Sequence, residues 1–371
     1  MEQKKAIIAM SGGVDSSVAA HLMKEKGYDC LGVTMRLYDK PCEVGTTCEN
    51  SEGCGKKFTT TKEEIEPQDI QDARKVAEAV GIPFEVWDYR QQFDAEVIKR
   101  FVDTYVKGET PNPCVECNHY IKFGVMMERM AELGYDVLST GHYVRNEYDE
   151  TTGRYLLKKA VDASKDQSYM LYNLTQEQLA HLEFPLGGYT KDEIRAMAGQ
   201  QELVNAKKRD SQDICFVPDG EYADFIQEYL GCEFPTGEFV TKEGKVLGTH
   251  QGMIRYTLGQ RRGLGISAAD RLYVVDKDME NNRVVLGSNE DLMSTMLYAY
   301  DVNLITLDEI KEPIRCMAKA RYKHKEAMAT VEQIGPGEIK VVFDAPQRGI
   351  TPGQSVVLYD GDVVIGGGVI R

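Results

Sequence analysis

Residues 6–18 read Ala-Ile-Ile-Ala-Met-Ser-Gly-Gly-Val-Asp-Ser-Ser-Val, and this stretch decides the fold of the N-terminal part of the chain. Its first five residues are apolar, which predicts a buried strand, and residues 18–23 open the helix that follows. Gly12 and Gly13 let backbone N–H groups approach an anion closely, and the N-terminus of a helix favours negative charge. The turn between strand and helix is therefore predicted to bind a phosphate group.

An acidic residue distinguishes this turn from the common nucleotide-binding loops. The turn has neither the G-x-x-x-x-G-K-[ST] pattern of a Walker loop nor the G-x-G-x-x-G of a dinucleotide-binding fold. Asp15 would repel a bound phosphate unless a divalent cation lay between them, so we expect Asp15 to bind Mg2+ or the water around it. The alternative is a simple Gly-Ser turn that connects a strand to a helix.

Net charge limits how the chain could bind nucleic acid. Its 371 residues carry a formal net charge of −15, which argues against binding through a general positive field. Local basic clusters are candidates all the same, although each is alternatively a solvated face. They lie at 207–209, at Arg255 with Arg261 and Arg262, and at 319–325.

The compartment in which the protein is expected to lie affects how its cysteines are interpreted. No segment reaches the length of a membrane span, so we expect a cytoplasmic protein that contacts no membrane. In that compartment the nine cysteines are more consistent with thiols, redox partners or metal ligands than with structural disulfides.

Short apolar runs alternate with helical periodicity over residues 5–140. The runs are predicted strands, and the periodic stretches between them are predicted helices. This alternation predicts an α/β fold with a doubly wound parallel sheet, whose ligands bind at the carboxyl ends of the strands. The predicted strands are 7–10, 31–37, 84–87 and 137–140, and the periodic stretches are 70–80, 93–105 and 126–133.

The rest of the chain divides into two further units. Residues 208–289 are glycine-rich and mixed in pattern, which indicates a small separate domain. From 290 onward helical periodicity disappears, and apolar runs separated by Gly, Pro and Asp turns predict a small β-barrel. The predicted domains are therefore 1–207, 208–289 and 290–371.

Two cysteines lie three residues apart directly after two prolines. Residues 110–118 read Thr-Pro-Asn-Pro-Cys-Val-Glu-Cys-Asn, and the prolines favour an exposed turn that carries Cys114 and Cys117. A C-x-x-C pair lowers the pKa of one thiol and suits redox exchange or metal binding. Cys215 lies among polar neighbours much later in the chain. The cysteines expected to be small buried side chains are Cys30, Cys232 and Cys316.

These motifs resemble the tRNA-specific 2-thiouridylases, ATP-dependent enzymes of the ATP pyrophosphatase superfamily that place sulfur on the wobble uridine. The S-G-G-x-D-S turn at 11–16, the N-P-C-x-x-C segment at 112–117 and the S-Q-D-I-C-F segment at 211–216 carry the resemblance. It implies an adenine nucleotide α-hydrolase-like sheet domain, a small central tRNA-binding domain and a C-terminal β-barrel. Further similar stretches are 140–143, 165–171, 248–252, 256–266, 320–322 and 351–354.

The resemblance also implies how sulfur is delivered. ATP with Mg2+ would adenylate O2 of the uracil, and Cys215 would carry the incoming sulfur as a persulfide. Cys117 would reduce that persulfide and end in a Cys117–Cys215 disulfide that cellular thiols reopen. The sulfur would come from a cysteine desulfurase, a sulfur relay protein or sulfide. The implied nucleotide-binding residues are Ala9, Met10, Ser11, Gly12, Gly13, Val14, Asp15, Ser16, Met35 and Gly141, with Asp15 also catalytic.

By the same resemblance, two sets of residues contact the substrate. The set that faces the target base is Asn112, Pro113 and Cys114. The set that contacts tRNA is His142, Lys165, Asp166, Gln167, Arg321, Tyr322 and Gln354.

Cys114 departs from the family's commonest pattern, because many members carry Asp at this position. The carboxylate that could handle a proton is missing here. Cys114, Cys117 and Cys215 instead supply the number of thiols needed to hold an iron–sulfur cluster with one open iron. The persulfide route and the cluster route therefore both stay open.

A second departure is a run of cysteines in the segment 42–54. Cys42, Cys48 and Cys54 are six residues apart, a spacing that fits no standard zinc pattern. We expect a mobile active-site loop with incidental or redox-sensitive thiols, and metal binding is the alternative.

Two other functions would use parts of the same sequence. Another ATP pyrophosphatase, such as an amidating or ligating synthetase, would use the turn but has no evident need for Cys117 and Cys215. An RNA-binding protein with a regulatory nucleotide site would bind RNA through the barrel. Against that second reading, the turn retains both its glycines and its acid.

Overall fold

The computed structural model describes residues 3–39, 66–201, 214–217, 221–268 and 270–371. Four elements of the sequence analysis fall outside these ranges. They are the cysteine segment 42–54, the predicted domain boundary at 207, the basic cluster at 207–209 and the first half of the motif 211–216 that carries Cys215.

A five-stranded sheet organises the N-terminal part. Its order is β3-β2-β1-β4-β7 and every pairing is parallel, with Ala6 opposite Cys30 and Val137. Alternate residues of β1 enter two different cores, Ile7 on one face and Ile8 on the other, so both faces are covered. The predicted doubly wound parallel sheet is confirmed. Its strands are β1 (Lys5–Ala9), β2 (Asp29–Arg36), β3 (Phe84–Asp88), β4 (Val137–Ser139) and β7 (Leu182–Glu183).

Helices form where the periodicity predicts them. The predicted stretch 93–105 contains a π-helical segment, Asp94–Ile98, which joins α3 to α4, and a second one, Cys117–Val125, precedes the predicted stretch 126–133 and joins α5 to α6. None of the described helices is long and apolar enough to cross a membrane. The helices are α1 (Val14–Glu25), α2 (Gln68–Val80), α3 (Arg90–Phe93), α4 (Lys99–Val106), α5 (Pro113–Glu116), α6 (Met126–Glu132), α7 (Gln176–Ala180), α8 (Lys191–Gln200) and α9 (Tyr222–Leu230).

The middle of the chain forms a separate four-stranded sheet. Its order is β10-β11-β8-β9, and a compact core around Phe239, Val274 and Leu286 covers it. The strands are β8 (Gly237–Thr241), β9 (Val246–His250), β10 (Tyr273–Asp278) and β11 (Arg283–Gly287).

The C-terminal part closes into a barrel, as predicted. Its strand order is β12-β15-β14-β13-β16-β17, and β12 pairs again with β17. Closure leaves these strands without a free edge of their own. The strands are β12 (Met293–Leu304), β13 (Ile314–Lys319), β14 (Ala327–Gly335), β15 (Glu338–Arg348), β16 (Ser355–Asp360) and β17 (Val363–Ile370).

A hairpin from the N-terminal part extends the barrel sheet. Strands β5 (Val144–Asp149) and β6 (Arg154–Lys159) pair with each other, and Lys158 of β6 pairs with Val363 of β17. One hydrophobic core runs through this junction, because Leu157 and Tyr359 belong to the same buried cluster as the sheet residue Ile7. The barrel and the five-stranded parallel sheet therefore share one hydrophobic core.

Candidate functional site

The turn after β1 presents a helix end without a side-chain cap. Gly13 is the N-cap of α1, and no side chain in the described part of the chain caps this helix. The seryl hydroxyls instead fix the turn itself: Ser17 Oγ donates to the Gly13 carbonyl at 2.8 Å, and the Ser11 N–H donates to Ser16 Oγ at 3.2 Å. The N-terminal N–H groups of α1 are thus left to an anion that approaches the turn.

Two glycines of the turn region are required by close packing. Gly12 has φ +67°, and a Cβ there would lie 2.3 Å from the backbone oxygen of Asp69. Gly141 follows β4, and a Cβ there would lie 2.9 Å from the Ser16 nitrogen. The predicted nucleotide-binding residues at 9–16 and Gly141 therefore come together at the carboxyl ends of β1 and β4. Met35, near the end of β2, packs beside Ala9 at the same core.

Asp15 is held by two residues that the sequence analysis did not find. The ammonium of Lys191 donates to Asp15 Oδ1 at 2.8 Å and to Oδ2 at 2.9 Å, and the Tyr143 hydroxyl donates to Oδ1 at 2.7 Å. Lys191 is only 5% exposed, whereas the Asp15 side chain is 29% exposed, so the lysine is buried and the carboxylate stays partly open to water. The T-x-x-E capping box at Thr190 and Glu193 does mark the start of α8, but nothing in the sequence links that helix to Asp15.

The cysteines of two distant segments lie at one site. Burial raises the pKa of Cys117 to about 12, and the neighbouring Cys215 and Cys114 add to the rise. Burial likewise raises the pKa of Cys215, with a further contribution from Cys114. Because such effects fall off quickly with distance, the three thiols are within electrostatic reach of one another. Cys117 is therefore a protonated thiol at neutral pH.

Lys122 is the cation of this thiol site. Its positive charge opposes the raised pKa of all three cysteines, and it also helps to lower the pKa of His142. Its ammonium donates to Asn118 Oδ1 at 2.9 Å. The π-helical segment Cys117–Val125 carries the lysine and one of the thiols, which is a setting where π-helical turns often occur.

Hydrogen bonds from the barrel hold the C-x-x-C turn. Gln354 Nε2 donates to the Thr110 carbonyl at 2.9 Å and to the Pro111 carbonyl at 3.1 Å, and the Thr110 N–H donates to the Pro352 carbonyl at 2.9 Å. The Tyr38 hydroxyl donates to the Cys215 carbonyl. Gln354 thus positions the cysteine turn, and its contact with tRNA stays a prediction.

His142 is buried between the turn and the thiols. Thr140 Oγ1 and His142 Nδ1 are 2.7 Å apart, and the imidazole packs against Phe123 and Phe184. Burial holds the pKa of His142 well below its usual value, so the ring is neutral. The geometry gives it a packing role, and the predicted contact with tRNA stays a prediction.

The predicted substrate residues at 165–167 border the same site. The Tyr322 hydroxyl donates to the Asp166 carbonyl at 3.1 Å, and the Tyr143 N–H donates to Gln167 Oε1 at 2.9 Å. Burial raises the pKa of Tyr322, and Asp166 and Cys114 both add to that rise, so Tyr322 is within electrostatic reach of Cys114. The Lys165 N–H donates to the Asp162 carbonyl at 3.0 Å.

Of the other substrate candidates, Asn112 and Pro113 begin α5, with Asn112 as its N-cap and Pro113 at its first position. Asn112 Nδ2 lies 3.4 Å from the Met170 sulfur. Arg321 Nη2 donates to the Leu258 carbonyl at 3.1 Å and to Thr351 Oγ1, so it reaches the middle domain.

The remaining cysteines split in their burial. Cys30 and Cys316 are buried, as expected. Cys232 is exposed, so the expectation of a small buried side chain is wrong there. It follows the left-handed Gly231 that ends α9, and a residue just beyond a helix end has little of the core around it.

The fold and the site define a nucleotide-binding sheet domain followed by two β domains. Three family models match: "tRNA methyl transferase HUP domain" over residues 4–219, "tRNA methyl transferase PRC-barrel domain" over 223–288 and "Aminomethyltransferase beta-barrel domain" over 294–370. A HUP domain of this kind is consistent with the use of ATP. The predicted domain limits at 207 and 289 stay predictions.

The relatives are similar over the whole length of the chain. The tRNA-specific 2-thiouridylase of Clostridioides difficile is 48% identical over 99% of this chain and 98% of its own. That of Acetivibrio thermocellus is 47% identical over all of both chains. The chain belongs to the tRNA-specific 2-thiouridylase family, which confirms the resemblance seen in the sequence.

Gly12→Ala should destabilise the protein more than Gly27→Ala does. Both glycines have positive φ, +67° and +85°, so alanine costs about 1 kcal/mol of strain at either position. Only at Gly12 does the new Cβ meet backbone, whereas nothing lies within 4 Å at Gly27. We expect the unfolding temperature, followed by circular dichroism, to fall at least twice as far for Gly12→Ala. Equal decreases would contradict the close packing against Asp69.

Alkylation of Cys117 should accelerate steadily with pH. With a pKa of about 12, the thiolate fraction rises about tenfold per pH unit between about pH 7 and pH 10. A free small thiol, with a pKa near roughly 8.5, levels off above about pH 9 and is the control. Lys122→Met should slow the reaction further at any fixed pH, because the ammonium favours the thiolate.

The readout is iodoacetamide labelling of the Cys117 peptide, quantified by mass spectrometry. Lys99→Met is the matched control, since Lys99 is exposed and paired with Asp103. A plateau near pH 9, or equal rates for Lys122→Met and Lys99→Met, would show that burial and Lys122 do not govern this thiol.

Proposed function

We propose that this protein replaces O2 of the wobble uridine of tRNA by sulfur, using ATP and releasing AMP and pyrophosphate. The observation that carries the proposal is that the consecutive residues 141–143 contact both halves of the site. Gly141 packs on the start of α1, the Tyr143 hydroxyl binds Asp15, and His142 lies within reach of the charge of Lys122 beside the thiols. A nucleotide at the turn and a base at the thiols would thus share one cavity wall.

The family supplies the substrate class. The relatives from Clostridioides difficile and Acetivibrio thermocellus are named for 2-thiolation of uridine in tRNA. The residues of the site are consistent with this substrate class, because a carbonyl oxygen leaves poorly until it has been converted to an ester of AMP. A chain that combines a nucleotide turn with three neighbouring thiols has both parts of such a reaction.

In the activation step, uracil O2 attacks the α-phosphorus of ATP, and the bond to the β-phosphate oxygen breaks to release pyrophosphate. The N–H groups at the start of α1 would hold the phosphates, and Gly12 and Gly141 would leave room for them. Asp15 is oriented by Lys191 and Tyr143 at the edge of this space.

In the transfer step, the terminal sulfur of a Cys215 persulfide attacks C2, and AMP departs with O2. Cys117 then loses its proton to solvent, and the small thiolate fraction that Lys122 favours attacks the Cys215 sulfur, which breaks the S–S bond, leaves sulfur on the base and forms a Cys117–Cys215 disulfide. If Cys117 attacks first, hydrosulfide leaves and attacks C2 instead. A cellular thiol supplies the two electrons that reopen the disulfide. Lys122 would stabilise the anionic sulfur in either order.

The side chains at the site give little support to a metal ion bound by the protein itself. Among the residues that the structure describes, no three His, Cys, Asp or Glu side chains lie where they could hold a metal ion together. This arrangement gives no support to a single metal ion held by the three cysteines. Asp15 is a single carboxylate that already binds Lys191, so Mg2+ would bind mainly through the phosphates of ATP.

The partners follow from the same proposal. A cysteine desulfurase or a sulfur relay protein would load Cys215, which is exposed to solvent although the surrounding protein raises the pKa of its thiol, and free sulfide would instead attack C2 directly. The target base would lie against Asn112, Pro113 and Cys114, and the segments 208–289 and 290–371 would bind the rest of the tRNA.

Thiolation should depend on two of the cysteines. Incubation with unmodified tRNA, ATP, Mg2+ and a sulfur donor should give 2-thiouridine and AMP, measured by mass spectrometry after digestion. Cys117→Ser and Cys215→Ser should each lower the thiolation rate at least about a hundredfold, because each removes a sulfur that the transfer requires. Cys232→Ser is the matched control and should leave the rate unchanged, since that thiol is exposed and outside the site.

The outcome for Cys114 separates the two routes. Retained activity in Cys114→Ala supports the two-thiol route, whereas loss of activity together with loss of bound iron supports a cluster. Absence of 2-thiouridine with both a persulfide donor and an anaerobically reconstituted cluster would overturn the proposed function. AMP formation on a different acceptor would then identify another ATP pyrophosphatase.

A further inference from the structure

Most described arginines in this acidic protein are neutralised by a carboxylate. Ion pairs engage Arg36, Arg74, Arg90, Arg100, Arg145, Arg154, Arg255, Arg283, Arg315 and Arg371. Seven others have no carboxylate ion pair among the described residues: Arg129 and Arg195 lie on helices of the N-terminal part, and the remaining five lie in the middle domain or the barrel. They are Arg261, Arg262, Arg271, Arg321 and Arg348.

Contacts between the two domains bring this set together. The guanidinium of Arg348 on β15 lies 5.1 Å from the ring centre of Tyr273, and its Nε donates to Asn289 Oδ1 at 3.0 Å. A Cβ on Gly259 would lie 3.5 Å from Arg348 Nη1. Arg321 bonds the Leu258 carbonyl of the same loop. The barrel arginines therefore adjoin the loop that carries Arg261 and Arg262.

The electrostatics of His324 give an independent measure of this positive region. Burial lowers the pKa of His324, and Arg321, Arg348 and Lys319 each lower it further. The groups that act on this imidazole include three cations and no carboxylate. Positive charge is thus concentrated around His324, although the carboxylates of Asp166 and Glu326 act on Lys319 and the chain as a whole carries −15.

The positive region runs toward the thiols. The Lys319 ammonium lies 5.9 Å from the ring centre of Tyr169 and 5.5 Å from that of Tyr322, and Tyr322 is within electrostatic reach of Cys114. At the other end, the loop 261–272 borders an open cavity of about 540 Å³ that is lined by Arg261, Arg271 and one acid, Asp270. The cations therefore extend from the thiol site across the domain junction.

We propose that Lys319, Arg321, Arg348, Arg261 and Arg262 form a track for the sugar–phosphate backbone of the substrate RNA. The inference rests on the proposed function and goes beyond it by extending the contact from Arg321 across the junction to Arg348 and the 261–262 pair. Charge complementarity favours a polyanion as the ligand, since its phosphates would neutralise these cations. Because phosphates carry no sequence information, the track sets affinity and register rather than the choice of base.

The test replaces three of these arginines and measures salt dependence. Arg261→Gln, Arg262→Gln and Arg348→Gln are combined, and binding of unmodified tRNA is followed by fluorescence anisotropy between about 50 and 300 mM salt. We expect Kd at physiological salt to rise roughly tenfold or more, and the slope of log Kd against log salt to fall by about 2 to 3. A tRNA that is not a substrate should lose affinity by the same factor.

Two further variants isolate the charge. Arg315→Gln is the matched control, because Arg315 is an exposed barrel arginine that pairs with Asp344, and it should leave Kd and slope unchanged. The triple Arg→Lys variant keeps the charges and should recover most of the slope. Thermal unfolding of each variant, compared with the parent protein, separates loss of charge from loss of fold.

The outcomes distinguish this inference from the proposed function. If the parent protein thiolates tRNA and the triple Gln variant keeps its slope, the track is overturned and the function stands. If the triple variant loses affinity while the parent protein makes no 2-thiouridine, the track is supported and the function fails. A parent protein that does not bind tRNA would overturn both.

Discussion

The active-site arrangement depends on three hydrogen bonds between the barrel and the residues before the C-x-x-C turn. Gln354 donates twice to backbone carbonyls of Thr110 and Pro111, and Thr110 donates back to Pro352. The thiols themselves sit on short helical segments with no sheet edge to fix them. Since loops at such positions are otherwise mobile, the barrel determines where Cys114 and Cys117 lie relative to the parallel sheet. The C-terminal domain thus helps to position the cysteines of the candidate site.

A second constraint is the path from strand β4 into the following hairpin. Within three residues the chain packs a glycine on the phosphate turn, buries a neutral imidazole and binds a carboxylate with a phenol. Each contact requires its own residue type, so this segment cannot shift without disturbing both halves of the site. The backbone thus connects the phosphate turn directly to the surroundings of the thiols.

Much of the fold could be predicted because local sequence carries it. Strands covered on both faces are continuous apolar runs, and 7–10 and 31–37 have that character. The β5–β6 hairpin was missed because Arg145, Asn146 and Glu147 interrupt any apolar run, and its stability comes from pairing with the distant β17. The long strand β12 was missed for the same reason, since Ser, Thr, Tyr, Asp and Asn residues lie along it.

The site divides in the same way. The phosphate turn and the cysteine pair are continuous motifs, so their positions could be read directly. Lys191 and Lys122 could not be found, because each acquires its role from a neighbour that folding brings near: Asp15 for one and Cys215 for the other. The burial of His142 and the barrel contacts of Gln354 are tertiary in the same sense.

The shared sheet and core also constrain how the chain folds during synthesis. Strand β6 lacks its partner β17 until residues 363–370 have been made. Until then Leu157 also lacks Tyr359 and Val364, which belong to the same buried core. The N-terminal part therefore emerges from the ribosome with an unpaired strand edge and an unfilled core, both of which favour aggregation. Contacts between such distant positions form slowly, because a long loop must close first. Completion of the N-terminal domain therefore comes late in synthesis, after β17 has been made.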